Sequence, residues 1–223
     1  RLAPQAGAYH LMRSGGGRGV LIGGVSGVYA GKVVVIGAGV SGMNAAAIAL
    51  GMQAEVVVLD RDIDKLRAAD RIYQGHLQTV ASNAYEVERA VTEADLVVGS
   101  VLVPGARAPK LVTHEMVGRM KPGSVLVDIA VDQGGCFEDS RPTTHQDPVF
   151  PVHDTLFYCV ANMPGAVPNT STYALTNATM PYIVHVADSG AQRAAAESPG
   201  LAKGVNVVGG KVTYAPALTK AGG

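Results

Sequence analysis

Three glycines stand between a run of β-branched residues and an alanine-rich run, and the next apolar run ends on an acid. This stretch, from Lys32 to Asp60, reads KVVVIGAGVSGMNAAAIALGMQAEVVVLD. Gly37, Gly39 and Gly42 have the spacing GxGxxG, in which the first glycine permits a tight turn and the third lets a helix pack closely on a strand. Because Gly39 has no side chain, a pyrophosphate can approach the backbone there. The stretch therefore predicts a strand, a phosphate-binding turn, a helix and a second strand.

Asp60 indicates which nucleotide such a turn would bind. It ends the second predicted strand, 18 residues after Gly42, where an acid accepts hydrogen bonds from the hydroxyl groups of an adenosine ribose. A carboxylate at this position repels a 2′-phosphate and favours NAD, whereas the neighbouring Arg61 can accept a 2′-phosphate and keeps NADP as an alternative. We therefore predict that the cofactor is NAD. The cofactor contacts predicted from the motif are Gly37, Ala38, Gly39, Val40, Gly42 and Asp60.

Short apolar runs alternate with helical patterns along the first two thirds of the chain. The predicted strands are 32–36, 55–59, 79–81, 95–102, 124–131 and 156–163. The predicted helices are 3–13, 40–50, 63–70, 85–93 and 113–119. Because such alternation produces βαβ units, and because the strands are apolar throughout, the sheet should be parallel and covered on both faces. The predicted fold class is α/β, with a Rossmann-type, doubly wound, mostly parallel sheet.

The pattern changes after Pro164. Two helical pieces follow, about 171–178 and 180–189, and then a hairpin with Gly209 and Gly210 in its turn. We place a domain boundary near residues 165–170. Two helices and a hairpin cannot form a good core alone, so this tail should pack on something else.

The composition argues against several classes of protein. Lysine plus arginine and aspartate plus glutamate are both 18, so the formal net charge is zero and no charge excess favours nucleic acid or a membrane surface as a partner. There is no tryptophan, and no stretch of about 18 apolar residues predicts a membrane-spanning helix. The histidines lack metal-binding spacing, so no metal site is predicted.

Cys136 and Cys159 lie far apart and form no CxxC pair. We interpret both as reduced, mostly buried thiols of a cytoplasmic protein, with a disulfide between them as the alternative.

Several longer segments resemble the bacterial alanine dehydrogenase family. They are the glycine stretch, ADLVVGSVLVPGARAPKLV, MKPGSVLVDIAVDQGGCFEDSRPTT and VANMPGAVPNTSTYALTNATMPY. The pieces DIAVDQGGCFE and NMPGAVPNTST are far more specific than the glycine motif, and the match runs over nearly the whole chain. The NAD-binding subunit of proton-translocating transhydrogenase is a related family with the same fold.

The resemblance implies further site residues at matching positions. Lys65 and Ser82 match positions near the adenosine, and Asp132 matches the family's active-site aspartate, so it is the predicted catalytic residue. Both Asp132 and Asn162 have a purely structural alternative to a role in the site. Asp132 could instead cap a loop, and Asn162 could instead form a turn. Val101 and Leu102 match backbone contacts to the cofactor, and Arg141 matches another cofactor contact. Two further segments match those that border the nicotinamide in the family: Ile129, Ala130, Val131 and Asp132, and Val160, Ala161, Asn162 and Met163.

Members of this family interconvert L-alanine with pyruvate and ammonium, and they form hexamers or other homo-oligomers. The resemblance places their substrate-binding Arg, Lys and His in an N-terminal domain that would precede Arg1. It therefore predicts an N-terminally truncated enzyme, with an NAD-binding domain at 1–167 and the C-terminal part of the substrate domain at 168–223. A transhydrogenase subunit and a non-catalytic NAD-binding module are the alternatives.

Overall fold

A seven-stranded sheet organises most of the chain in the computed structural model, which describes residues 1–102 and 108–213. Its order is β3-β2-β1-β4-β5-β7-β6, and every pair is parallel except the edge pair of β6 and β7. The strands are β1 (Lys32–Ile36), β2 (Glu55–Asp60), β3 (Gln78–Ala81), β4 (Leu96–Gly99), β5 (Val125–Asp128), β6 (Val149–Val152) and β7 (Thr155–Tyr158). This order confirms the predicted doubly wound α/β fold.

Helices connect the strands, and most of them begin at a polar cap. Asp62, Asn83 and Thr113 each accept a hydrogen bond from a backbone N–H in the first turn of the helix that follows. The helices of this part are α1 (Leu2–Leu11), α2 (Val40–Gly51), α3 (Ile63–Tyr73), α4 (Ala84–Glu93) and α5 (His114–Gly118). By contrast, the N-cap residue of α2 is Gly39, and no side chain that the structure describes caps this helix.

Both faces of the sheet are covered, as the apolar strands predicted. Successive side chains of a strand point to opposite faces. Val33 and Val35 accordingly belong to one buried cluster, and Val34 and Ile36 to the other. All four are at most 1% exposed, and each such side chain contributes about 1.5–3 kcal/mol to folding by its burial.

Three strands are shorter than predicted. The predicted strands 95–102, 124–131 and 156–163 correspond to β4, β5 and β7, which end at Gly99, Asp128 and Tyr158. The sequence stays apolar beyond the ends of these strands because the loops that follow are also partly buried, with Ala130 and Val160 in the core. The strand β6 was not predicted, since it is short and carries Pro151, a residue confined to edge strands.

The second compact unit begins at Pro164, after a first unit that ends at Met163. The two helical pieces predicted for it were wrong, because they form one continuous helix with Pro181 inside it. A proline removes one intrahelical N–H donor without ending the helix here. The unit contains α6 (Pro168–Ser189), α7 (Ala191–Glu197), α8 (Pro199–Gly204) and the predicted hairpin of β8 (Val207–Val208) and β9 (Lys211–Val212).

The second unit has almost no core among the residues that the structure describes. Ala194 is its single buried residue over 164–213, and α6, described in full, has none. Residues 214–223, the end of the second predicted domain, lie outside the described residues. Within the described ranges, no helix is long and apolar enough to cross a membrane.

Candidate functional site

The sheet has a switch point between β1 and β4. From β1 the chain continues to β2 and β3 on one side, while β4, β5 and β7 lie on the other. The connections that leave the carboxyl ends of β1 and β4 therefore diverge, which opens a crevice where ligands bind in folds of this kind. A cavity of about 500 Å³ lies at this position.

Eight of the predicted site residues line this cavity: Gly37, Gly39, Val40, Asp60, Lys65, Ser82, Val101 and Leu102. Seven more residues complete the lining: Ile36, Ser41, Leu59, Arg61, Ser100, Pro109 and Leu111. Of these seven, only Arg61 was considered as a nucleotide contact. Ser100 directly follows β4, but the predicted strand 95–102 extended past it, so the sequence pattern did not single it out.

Each of the three positions in the turn favours glycine for a different physical reason. Gly37 has a φ of +106°, which favours glycine, and its N–H donates to the carbonyl of Leu59 at 2.7 Å. A Cβ on Gly42 would collide with the carbonyl oxygen of Gly37 and would lie 2.5 Å from the hydroxyl of Ser100. At Gly39, no described atom lies within 4 Å of the position that a Cβ would take. The turn is therefore tightly packed at Gly42 and open at Gly39.

The open side of the turn fits a phosphate. The first N–H groups of any α-helix have no partner within the helix, and the helix dipole places partial positive charge beside them. In α2 these N–H groups follow the N-cap residue Gly39, which has no side chain to accept from them, and Val40 and Ser41 line the cavity. The arrangement can accept an anion such as a pyrophosphate without any movement of the backbone.

Asp60 connects the glycine turn to the end of β2. Its Oδ2 accepts a hydrogen bond from the N–H of Ala38 at 2.7 Å, and its Oδ1 accepts one from Asp62 at 2.8 Å. The ammonium of Lys65 lies 3.9 Å from Oδ2. A carboxylate has about four acceptor positions, so positions remain for the hydroxyls of a ribose.

Asp128 organises the loop that follows β5, and sequence reasoning missed it. Its carboxylate is fully buried and accepts hydrogen bonds from the N–H groups of Ala130 (2.9 Å), Cys136 (2.8 Å) and Phe137 (3.4 Å). The hydroxyl of Ser140 donates to the same carboxylate. The available signal was a single acid within the predicted apolar strand 124–131, four residues before Asp132.

The loop presents Asp132 at the surface. Asp132 lies in a 3-10 turn, Val131–Gln133, and its side chain is exposed. Gly134 and Gly135 follow with φ of +92° and +74°. A Cβ on Gly135 would lie 2.6 Å from Oδ2 of Asp128, so the loop can close around the buried carboxylate only with glycine there.

The segment after β7 contains a second unusual backbone position. Asn162 has a φ of +53°, which asparagine tolerates better than most residues. Its carbonyl oxygen lies 3.3 Å from Nε2 of His145, whereas Val160 and Met163 are buried. Because β4, β5 and β7 are neighbours and parallel, the loops after all three strands follow one edge of the sheet.

The remaining predicted residues do not line the cavity. Ala38 and Gly42 are buried within the glycine turn. Arg141 lies with its guanidinium carbon 4.0 Å from the ring centre of Phe150, a cation–π contact. The residues after β5 and β7 lie along the same sheet edge but outside the cavity lining: Ile129, Ala130, Val131, Asp132, Val160, Ala161, Asn162 and Met163.

The two thiols are buried in the first unit. Cys136 and Cys159 are free within the described chain. Burial, together with the negative charge of Asp128, raises the pKa of both thiols to about 12. The described residues contain no group of three or more His, Cys, Asp or Glu side chains that could hold a metal ion.

The doubly wound sheet, the glycine turn and the cavity define a dinucleotide-binding domain of the Rossmann type. The chain matches the family described as "Alanine dehydrogenase/PNT, C-terminal domain" over residues 3–215. It therefore belongs to this family.

Known proteins agree with this assignment. The chain is 63% identical to alanine dehydrogenase from Mycolicibacterium smegmatis over 95% of its length, and 66% identical to alanine dehydrogenase from Mycobacterium tuberculosis over 92%. It covers only 57% and 56% of those two relatives. The chain thus spans little more than half the length of the relatives it matches.

Two solved structures share the fold over nearly the whole chain. An L-alanine dehydrogenase has a TM-score of 0.93 and 47% identity, covering 99% of this chain and 60% of that one. A transhydrogenase from Sinorhizobium meliloti has a TM-score of 0.68 and 28% identity, covering 96% of this chain and 60% of that one. Both comparisons support the architecture described above, and the first is the stronger match.

Proposed function

We propose that this chain is the NAD-binding part of an L-alanine dehydrogenase, which converts L-alanine reversibly to pyruvate and ammonium. One observation carries the proposal: the uncapped N-terminus of α2 opens on a cavity that has Asp60 on its wall. An anion site and a carboxylate around one cavity are what a dinucleotide needs for its pyrophosphate and its ribose. The identity to alanine dehydrogenases supports the choice of reaction.

The chain's own residues bind and orient the cofactor. The turn of Gly37, Gly39 and Gly42 holds the pyrophosphate, and Asp60 holds the ribose. Bound NAD supplies the hydride chemistry, while the protein provides binding, orientation and charge. We propose further contacts from Ala38, Val40, Lys65, Ser82, Val101, Leu102, Ile129, Ala130, Val131, Asp132, Arg141, Val160, Ala161, Asn162 and Met163.

Asp132 is proposed as the catalytic residue. Its carboxylate is exposed on a loop that follows the carboxyl end of β5, two strands from β1 along the sheet. A carboxylate at this edge can hold or move a proton when the amine of the substrate is lost. Deamination requires such a group, whereas binding of NAD alone does not.

The second unit is proposed to belong to a substrate domain. The helix α6 exposes large apolar side chains such as Tyr173, Leu175 and Ile183, which are 67%, 64% and 55% exposed. Apolar surface of this kind usually marks an interface. We propose that 1–167 is the NAD-binding domain, that 168–223 completes a substrate domain, and that the enzyme is a cytoplasmic homo-oligomer, a hexamer by resemblance.

The NAD-binding subunit of a transhydrogenase is a second candidate, favoured by the similarity to the Sinorhizobium meliloti structure. Such a subunit would pass hydride to another cofactor domain. The discriminating assay uses the protein together with a complete substrate domain. Pyruvate plus ammonium should then oxidise NADH if the protein is an alanine dehydrogenase, and should leave NADH unchanged if it is a transhydrogenase subunit.

Titration with NADH and NADPH, followed by nucleotide fluorescence, tests the cofactor proposal directly. We expect saturable binding of NADH, with NADPH weaker. Asp60→Ser should reduce this preference, because the carboxylate no longer repels the 2′-phosphate. Asp64→Asn is the matched control, since its exposed carboxylate contacts Arg67 and does not line the cavity. A preference for NADPH in the unaltered chain would contradict the proposal.

A further inference from the structure

We propose that Lys110 is a positioning residue for the loop that carries Asp132, and that it thereby strengthens binding of the nicotinamide half of the cofactor. This inference rests on the proposed function: Asp60, at the end of β2, holds the adenosine ribose, so the nicotinamide half of the dinucleotide extends across the switch point towards the loop after β5 that carries Asp132. Lys110 does not line the cavity, and no glycine motif or strand pattern pointed to it. Its contacts within the fold assign the role.

The ammonium of Lys110 bridges two carbonyl groups of the loop. Nζ donates to the carbonyl oxygen of Gly134 at 2.5 Å and to that of Phe137 at 2.8 Å. These carbonyls lie at the two ends of the turn Gly134–Phe137. Hydrogen bonds from a charged donor are stronger than neutral ones, so a single side chain fixes the width of this turn.

The backbone on both sides of Lys110 is also hydrogen-bonded to the Asp132 loop. The N–H of Ala108 donates to the carbonyl of Gln133 at 3.1 Å, and that of Leu111 donates to the carbonyl of Cys136 at 2.8 Å. Leu111 and Pro109 also line the cavity. Segment 108–112 therefore lies between the cavity and the Asp132 loop, with Lys110 as its charged contact to the loop.

Two opposite charges hold the loop. The buried carboxylate of Asp128 accepts from the N–H groups of Cys136 and Phe137, while the ammonium of Lys110 donates to the carbonyls of Gly134 and Phe137. The N–H groups thus meet the negative charge and the carbonyl groups meet the positive one. Such an arrangement stabilises one loop conformation before any ligand binds.

These contacts indicate that Lys110 does not act as a phosphate-binding lysine. Two of the three donors of its ammonium are used by the loop carbonyls. Gly134 lies two residues after Asp132, so a shift of its carbonyl moves the 3-10 turn that presents Asp132. Loss of Lys110 should therefore affect the nicotinamide end of the site and leave the adenosine end, at Asp60, unchanged.

Two ligands, compared with each other, distinguish binding at the adenosine end from binding at the nicotinamide end. ADP-ribose carries the adenosine and the pyrophosphate but no nicotinamide, whereas NADH carries all three. The 223-residue chain and its variants Lys110→Met, Lys110→Arg and Lys203→Met are titrated with both ligands by calorimetry. Lys203→Met is the control, since Lys203 lies in the last turn of α8, in the second unit.

We expect Lys110→Met to weaken NADH binding by about tenfold, as expected for loss of charge-assisted hydrogen bonds. Binding of ADP-ribose should stay within about twofold, which also shows that the variant is folded. Lys110→Arg should recover most of the affinity for NADH, because a guanidinium can donate to both carbonyls. Lys203→Met should bind both ligands as the unaltered chain does.

Two results would overturn the inference and leave the cofactor site intact. In the first, Lys110→Met binds NADH as tightly as the unaltered chain. In the second, it loses NADH and ADP-ribose in equal proportion, which indicates a general structural role. Failure of the unaltered chain to bind either ligand is a different result, since it would reject the proposed function and this inference together.

Discussion

Replacement of Asp128 by asparagine tests whether the buried carboxylate maintains the Asp132 loop. The change keeps the volume of the side chain, removes its charge and exchanges one acceptor oxygen for an NH₂ donor. If the remaining carbonyl takes the place of Oδ2, it keeps its bonds to Cys136, Phe137 and Ser140. The new NH₂ group then faces the N–H of Ala130, which loses its acceptor.

The cost follows from these contacts. One hydrogen bond to a charged group is lost, at about 1.5–3 kcal/mol, and a buried N–H is left unsatisfied, at about 1–3 kcal/mol. The free energy of unfolding should therefore fall by about 3–5 kcal/mol. For a chain of this size this corresponds to a decrease of about 10 °C in Tm.

Urea unfolding followed by circular dichroism measures this change, since the chain has no tryptophan. Asp139→Asn is the matched control: that carboxylate contacts His114, whose side chain is half exposed, and should cost less than about 1 kcal/mol. If Asp128→Asn were no more destabilising than Asp139→Asn, the loop amides would have other acceptors and the reasoning would fail.

Three further substitutions and titrations test other parts of the structure. Gly42→Ala should lower both stability and NADH affinity, measured by thermal unfolding and fluorescence, because its Cβ collides with a carbonyl oxygen of the glycine turn. Asp95→Asn should cost about 2–3 kcal/mol in urea unfolding, because that buried carboxylate bonds a guanidinium and a backbone N–H; Glu93→Gln, on the surface, should cost under about 1 kcal/mol. Cys136 and Cys159 should react with a thiol reagent at pH 8 only after unfolding. Because their folded pKa of about 12 exceeds the ordinary value of 9.0, stability should also fall as pH rises above 9, by about 1.4 kcal/mol per pH unit for each thiol. A pH-independent free energy of unfolding between pH 9 and 11 would contradict this.

Local pattern was sufficient for the central strands and the glycine turn. In β1 every residue from Val33 to Ile36 is apolar and buried, so the run of letters and the strand coincide. The ends of β4, β5 and β7 were predicted too late, because burial continues into the loops. The helix that contains Pro181 was divided before that residue. Proline is common in the first turn of a helix, where the predicted piece 180–189 placed Pro181, and the sequence does not distinguish that position from one inside a helix.

The glycine spacing and the terminal acid determine, from the chain alone, that a dinucleotide-type turn forms and that Asp60 stands beside it. Asp60 and Ala38 are 22 positions apart, but strand, turn, helix and strand follow one another in a βαβ unit, so the fixed spacing of the motif identifies their contact. The contacts of Asp128 and Lys110 belong to no spacing motif, and only the folded chain brings those groups together. A buried carboxylate and an exposed lysine look ordinary in the sequence. Their function arises because the tertiary structure places N–H groups against one charge and carbonyl groups against the other.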